Sequence, residues 1–198
     1  MRDSALPACG FIKRLAVMTL FFALSRAESR NFRVAEKESR VLFQSEARLE
    51  TFNGVAEKVR GAIALDPDDL RNASGSVRVD VRSMKTGIKL RDEHLQSSNW
   101  LDAERYPEIV FMLDRIVGAQ RLVDKGEVNL RLEGKFSLHG ITKPMTVDAK
   151  ARYDASKNEV VFMTRFKVKL EDYGISIPTL VALKVAREIT VRATIVAR

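Results

Sequence analysis

From Val41 to Ala197 the chain returns repeatedly to an apolar residue at every second position. In VNLRLEGKFSL, Val128, Leu130, Leu132, Gly134, Phe136 and Leu138 fall on one side, and Asn129, Arg131, Glu133, Lys135 and Ser137 on the other. A period of two is the repeat of a β-strand with one face buried, and a helix of period 3.6 does not segregate the same residues. The pattern recurs in RVLFQSEARL (Val41, Phe43, Ser45, Ala47, Leu49), VRGAIAL (Val59, Gly61, Ile63, Leu65), VRVDVRS (Val77, Val79, Val81) and PEIVFMLDRIVG (Ile109, Phe111, Leu113, Val117). It returns in MTVDAKARY (Met145, Val147, Ala149, Ala151, Tyr153), VVFMTRFKVKL (Val160, Phe162, Phe166, Val168, Leu170) and EITVRATIVA (Ile189, Val191, Ala193, Ile195, Ala197). Turn signals separate the runs: Asp66-Pro67-Asp68-Asp69, Asp124-Lys125-Gly126, His139-Gly140 and Asp154 to Asn158. Eight evenly spaced strands of this kind predict one all-β domain, an antiparallel barrel or a sandwich, with no internal repeat.

An eight-stranded barrel is just wide enough to be plugged by its own side chains or to hold one small ligand. The inward positions mix small residues (Ala47, Gly61, Gly134, Ala149, Ala151, Ala193, Ala197) with Phe43, Phe111, Phe136, Phe162 and Phe166, and carry no Asp, Glu, Lys or Arg. An elongated apolar cavity and a solid core with small residues opposite large ones fit this pattern equally. The outward faces are charged, which excludes a membrane-spanning barrel, whose outer band must be apolar.

The N-terminus follows a different logic. Lys13 and Arg14 precede a ten-residue apolar run, Leu15 to Leu24, and Ser25-Arg26-Ala27 follows with small residues at the two positions a signal peptidase reads. The run is too short for a membrane span, which needs about 20 residues. Residues 1–27 are therefore expected to be a signal peptide and 28–198 an exported domain, periplasmic or secreted. Cleavage there removes four basic residues (Arg2, Lys13, Arg14, Arg26) and one acid (Asp3), so that the net charge of +8 falls to +5. It also removes Cys9, the one cysteine, and the remaining domain must hold by its core without disulfides.

One connection breaks the alternation. KTGIKLRDEHLQSSNWLDAERYPEIVF, Lys85 to Phe111, is too long for a hairpin turn and contains Trp100, the single tryptophan. Ile88, Arg91, Asp92 and Leu95 have helical spacing, which predicts a short helix capping one barrel end with Leu95, Trp100 and Leu101 turned inward. Arg91 and His94 are then candidates to meet the polar end of a ligand; the alternative is that Arg91 and Asp92 simply tie the loop to the barrel.

Catalytic patterns are weak. His94 and His139 show no metal-ligand spacing, Ser137 and His139 form no nucleophile motif, and no nucleophile stands beside Asp92 and His94. The pair His139-Gly140 reads as a hairpin turn in which glycine supplies a positive φ. The basic residues are spread along alternating strand positions rather than clustered, which argues against a nucleic-acid partner.

RDEHLQSSNWLDAERYPEIVF resembles the central signature of the YceI-like family of exported lipid-binding proteins, at Arg91, Asp92, His94, Leu95, Leu101, Asp102, Ala103, Tyr106, Pro107, Ile109 and Phe111. LEGKFSLHGITKPM resembles its second signature (Gly134, Leu138, His139, Gly140, Thr142, Lys143, Pro144) and EDYGI its third (Tyr173, Gly174, Ile175). The likeness runs from about Phe32 to Arg198. It implies an eight-stranded antiparallel lipocalin-like barrel with a short helical cap and a long apolar pore. The expected function is that of an exported carrier, not an enzyme, that sequesters a polyisoprenoid, a quinone or another long amphiphile. No cofactor other than such a lipid is expected. The expected pore residues are Phe43, Ile63, Val79, Leu95, Trp100, Phe111, Leu132, Phe136, Val147, Phe162, Phe166 and Val191. Arg91, His94 and Lys143 are the head-group candidates. Transient membrane contact fits a lipid carrier; whether the protein is a monomer or a homodimer is left open. A barrel with a filled core serving a structural or stress-response role is the second reading, and a hydrolase the third. Two stretches depart from the common family pattern, Arg48 to Gly61 and Ser176 to Glu188. The latter is assigned to the barrel end opposite the cap.

Overall fold

A computed structural model describes residues 29–198. The expected signal peptide lies outside the described residues. The chain forms β1 (Arg30–Arg33), β2 (Arg40–Glu46), β3 (Thr51–Ala56), β4 (Val59–Asp66), β5 (Asp69–Asp80), β6 (Met84–Lys85), α1 (Lys89–Gln96), β7 (Glu108–Val117), β8 (Glu127–Leu138), β9 (Ile141–Asp154), β10 (Glu159–Lys169) and β11 (Glu188–Ala197). All strands belong to one antiparallel sheet in the order β1-β4-β5-β7-β8-β9-β10-β11-β2-β3-β6. The sheet is therefore eleven-stranded rather than eight-stranded. The eight alternating runs became β2, β4, β5 and β7 to β11, while β1, β3 and β6 are added by pieces of six residues or fewer, too short to display a period.

The sheet curls on itself. Arg33 N–H donates to the Arg198 carbonyl at 2.5 Å, Arg198 N–H donates back to Arg33 at 2.9 Å, and Ala35 N–H donates to Val196 at 2.8 Å. The segment that leaves β1 thereby joins the end of β11 across the curl. Gly61 lets β4 and β5 approach closely. A Cβ there would sit 2.0 Å from the Ser76 carbonyl oxygen, and its φ of +156° is one that side chains rarely adopt.

Two inward assignments change. A bulge shifts the β7–β8 register between Leu113 and Arg115, so Ile116, 5% exposed, takes the inward place expected of Val117. Leu49 lies beyond the end of β2 and is 65% exposed, so the inward run of that strand stops short of it. The β8–β9 connection is the expected tight turn, with φ of 50° at His139 and 76° at Gly140. Positive φ at both central residues is the type I′ geometry whose twist matches a hairpin.

The two barrel ends differ. At one end, Phe32, Leu65, Leu70, Leu122 and Val160 fill the interior and are at most 5% exposed. Loop backbone closes over them, with Leu70 N–H donating to Gln120 and Leu122 N–H to Pro67. At the other end stand α1 with its flanking loop, the β8–β9 turn, and the long β10–β11 connection.

Candidate functional site

The alternate residues of the strands wall off an inner chamber of about 140 Å³. Phe43, Ile63, Val79, Phe111, Leu132, Phe136, Val147, Phe162, Phe166 and Val191 all line it, ten of the twelve expected pore positions. Ring packing fixes its shape: Phe136 meets Phe166 edge-on at 5.9 Å and Tyr173 at 5.7 Å. Phe43 lies over Gly54, its cross-strand partner, where a Cβ would come within 2.1 Å of the ring. Ser76 and Thr164 are the polar members of the wall, and Thr164 Oγ1 is satisfied by donating to the Asp148 carbonyl at 2.7 Å. No charged side chain lines the chamber. A group placed there meets hydrocarbon and aromatic faces, so it must itself be apolar.

A vestibule of about 690 Å³ adjoins it. Phe43, Met84, Ile109, Phe136 and Val191 line both spaces, so the two adjoin at a shared apolar wall. Leu95, Trp100, Arg91 and His94 line the vestibule rather than the inner chamber. So do Pro178, Leu180, Val181, Lys184 and Val185. This corrects the assignment of Ser176 to Glu188 to the opposite end: that stretch and α1 face each other across one mouth.

The helix is held by its own polar residues. Asp92, 7% exposed, accepts from Thr86 N–H at 2.7 Å and from Thr86 Oγ1 at 2.6 Å. Arg91 donates to Thr86 Oγ1 at 2.9 Å and to Glu50 at 2.6 Å, with its guanidinium 4.3 Å above the Phe52 ring. Both residues thus tie the loop to the barrel, and Arg91 meets the vestibule with its charge already matched by Glu50. His94 is exposed on the vestibule wall. Lys143 is different. It donates to Asp172 at 3.2 Å and faces the Tyr173 ring at 5.7 Å, and it is not among the residues lining either space. Its place as a head-group candidate is therefore corrected: it braces the turn that follows β10.

The three sequence signatures meet at one corner of the mouth. The Tyr106 ring packs edge-on against His139 at 5.1 Å, and His139 Nδ1 donates to the Tyr173 carbonyl at 3.0 Å. A Cβ on Gly140 would sit 2.5 Å from the Tyr106 ring. Burial, and secondarily the neighbouring Asp172, pushes the Tyr173 hydroxyl above its ordinary pKa, which keeps it neutral. Sequence reasoning missed Phe52, Ala56 and Met84, which reach the site from the strands it did not see. It also passed over Thr164, although Thr164 has the same parity as Phe162 and Phe166. Among the described residues no cluster of three His, Cys, Asp or Glu side chains is arranged to hold a metal ion.

A curled antiparallel sheet around an apolar space entered from one end defines a lipocalin-like fold. The YceI-like domain signature matches residues 32–197, and the chain belongs to that family. A UPF0312 protein of Vibrio cholerae is 30% identical over 128 residues, 63% of this chain and 65% of that protein. Protein YceI of Escherichia coli is 26% identical over 126 residues, 62% of each chain. These matches span less than two thirds of the length of either curated relative. Among solved structures, BcnA of Burkholderia cenocepacia superposes with a TM-score of 0.72 at 21% identity, covering 83% of this chain and 99% of BcnA. A polyisoprenoid binding domain from Saccharophagus degradans, implicated in plant cell wall breakdown, gives 0.69 at 13% identity, covering 84% and 97%. At such identities the likeness concerns the fold.

Proposed function

We propose that the protein is an exported carrier that sequesters one long apolar chain, a polyisoprenoid, a quinone or a similar amphiphile, without chemical conversion. The observation that carries this reading is the apolar chamber, whose wall has no charged side chain, adjoining the larger vestibule at the mouth. The vestibule volume of about 690 Å³ falls within the range of roughly 300–1,000 Å³ common for ligand sites. The hydrocarbon end enters first and fills the chamber, at about 0.8 kcal/mol per buried methylene. The head group stays at the vestibule, with His94 the candidate to meet it. The polyisoprenoid binding domain of the Saccharophagus neighbour supports the ligand class. Export rests on the basic, apolar and small-residue order of residues 1–27.

The test is organic extraction of protein purified from its native host, followed by mass spectrometry. A single long-chain lipid near one equivalent is expected. Lipid-free protein that also fails to take up an added isoprenoid overturns the proposal. N-terminal sequencing of the same material tests export: a start near Glu28 is expected, and intact Met1 on all of it removes that part.

A further inference from the structure

Among the described residues the five most exposed large apolar side chains are Leu180 (95%), Leu49 (65%), Leu90 (61%), Ile88 (52%) and Leu183 (50%). Scattered exposed leucines are ordinary, but these five are not scattered. They sit on three segments at the mouth end: the β2–β3 turn, α1 with the loop before it, and the β10–β11 connection. Ile88, Leu90 and Leu180 also line the vestibule, and Leu49 N–H donates to the Leu183 carbonyl at 2.8 Å, joining two of the segments. On two of these segments the charges closest in sequence have one sign. Between Lys85 and Leu90, and between Ile175 and Arg187, every charged residue is basic: Lys85, Lys89, Lys184 and Arg187. Acids stand at the margins: Glu50 is held by Arg91 at 2.6 Å, Glu93 lies 3.8 Å from Lys89 with both side chains open to solvent, and Glu46 is exposed at the end of β2.

We infer that this rim docks on an anionic lipid bilayer. Leu180 and Leu183 enter the headgroup boundary, and Lys89 and Lys184 face lipid phosphates. Apolar side chains flanked by cations suit the interface of an anionic bilayer, where burial and surface potential act together. The inference rests on the carrier reading in one respect: a water-insoluble cargo must pass between membrane and chamber without crossing solvent, and the rim borders the vestibule.

The experiment uses the full chain, with position-specific probes because Leu15 to Leu24 is itself apolar. In a Trp100→Phe background, one variant carries Leu180→Trp and another carries Val123→Trp, on the β7–β8 connection at the filled end. Each is mixed with phosphatidylglycerol vesicles containing no isoprenoid. The Leu180→Trp emission moves to the blue and the Val123→Trp emission does not. Adding Lys89→Gln and Lys184→Gln to the first variant weakens its apparent vesicle affinity roughly thirtyfold, about 1 kcal/mol for each lost cation. Equal shifts from both probes, no shift from either, or the same shift with phosphatidylcholine overturns the inference. So does a vesicle-free shift that grows with protein concentration, which would mean that a second copy covers the rim. Because the vesicles carry no cargo, failure here leaves the carrier reading standing if extraction still recovers a lipid.

Discussion

The filled end and the mouth of this barrel are built from the same alternating strands, yet one is solid and the other hollow. At the filled end the inward positions are met by residues delivered from outside the regular pattern: Phe32 from β1, Leu70 from the start of β5 and Leu122 from the β7–β8 connection, each 5% exposed or less. Ion pairs brace this end. Arg198 holds Glu38 and Glu159, Lys125 holds Asp154, and Arg71 holds Asp69. At the mouth, α1 and the β10–β11 connection stand around the opening instead of entering it, and their polar ties run sideways, from Arg91 and Asp92 to Glu50 and Thr86. Strand parity decides which residues face the axis. Whether the axis is occupied depends on what the connections insert.

Four experiments press on that contrast. Phe32→Ala should cost about 3–5 kcal/mol of stability by chemical denaturation, because a fully buried ring leaves a cavity in close-packed surroundings. Lipid uptake by the folded fraction should be unchanged; a parallel loss of binding would mean that the two ends are mechanically one. Ala193→Trp should do the reverse. It places a ring in the chamber, and if it displaces about three methylenes at about 0.8 kcal/mol each, affinity for a long isoprenoid falls roughly fiftyfold. Titration with retained thermal stability checks this; unfolding with no prior uptake by the wild type would make the chamber an ordinary core site. Asp92→Ala should cost about 2 kcal/mol, since it strips the charged acceptor from Thr86. Its signature is faster amide exchange across Lys85 to Tyr106, with protection at the filled end intact.

The smallest effect is that of acid. The Arg71 hydrogen bond holds Asp69 at a pKa of about 2, and Lys125, then Ser156, pulls Asp154 well below the usual carboxylate range. Groups depressed in this way stabilise the fold above their unfolded value near 4 and lose that contribution as the pH falls through the folded value. These pairs are exposed and screened, so the change is modest. It should appear between about pH 4 and pH 2 as amide exchange rising first at the filled end. Earlier loosening at the mouth would contradict it.

Much of the inner wall was legible because parity fixes a strand's face wherever the strand is long enough to show it. Phe43, Phe136, Phe162 and their neighbours follow from that alone. The bulge after Leu113 was not legible: nothing in LDRIV marks the one-residue shift that turns Ile116 inward and Val117 aside. β1 and β6 have four and two residues, and β3 carries Asn53-Gly54 at its centre, so none of the three announces a strand. The site was harder to read than the wall. The residue type of Lys143 suited a head group, but the partner that neutralises it, Asp172, lies 29 residues away. The meeting of α1 with Leu180 and Val185 likewise depends on barrel closure, which no local pattern encodes.

The hollow half also fixes how the protein responds to hydrostatic compression. Unfolding lets water into space that the fold keeps empty, so the unfolded chain and its solvent occupy less volume, and the decrease scales with the voids eliminated. The 140 Å³ apolar chamber is such a space, and it lies between the vestibule and the filled end. Under load the empty protein is therefore weakest around Phe111 and Phe166 and strongest around Phe32. A chain seated in the chamber removes the compressible space and with it the difference between the two halves.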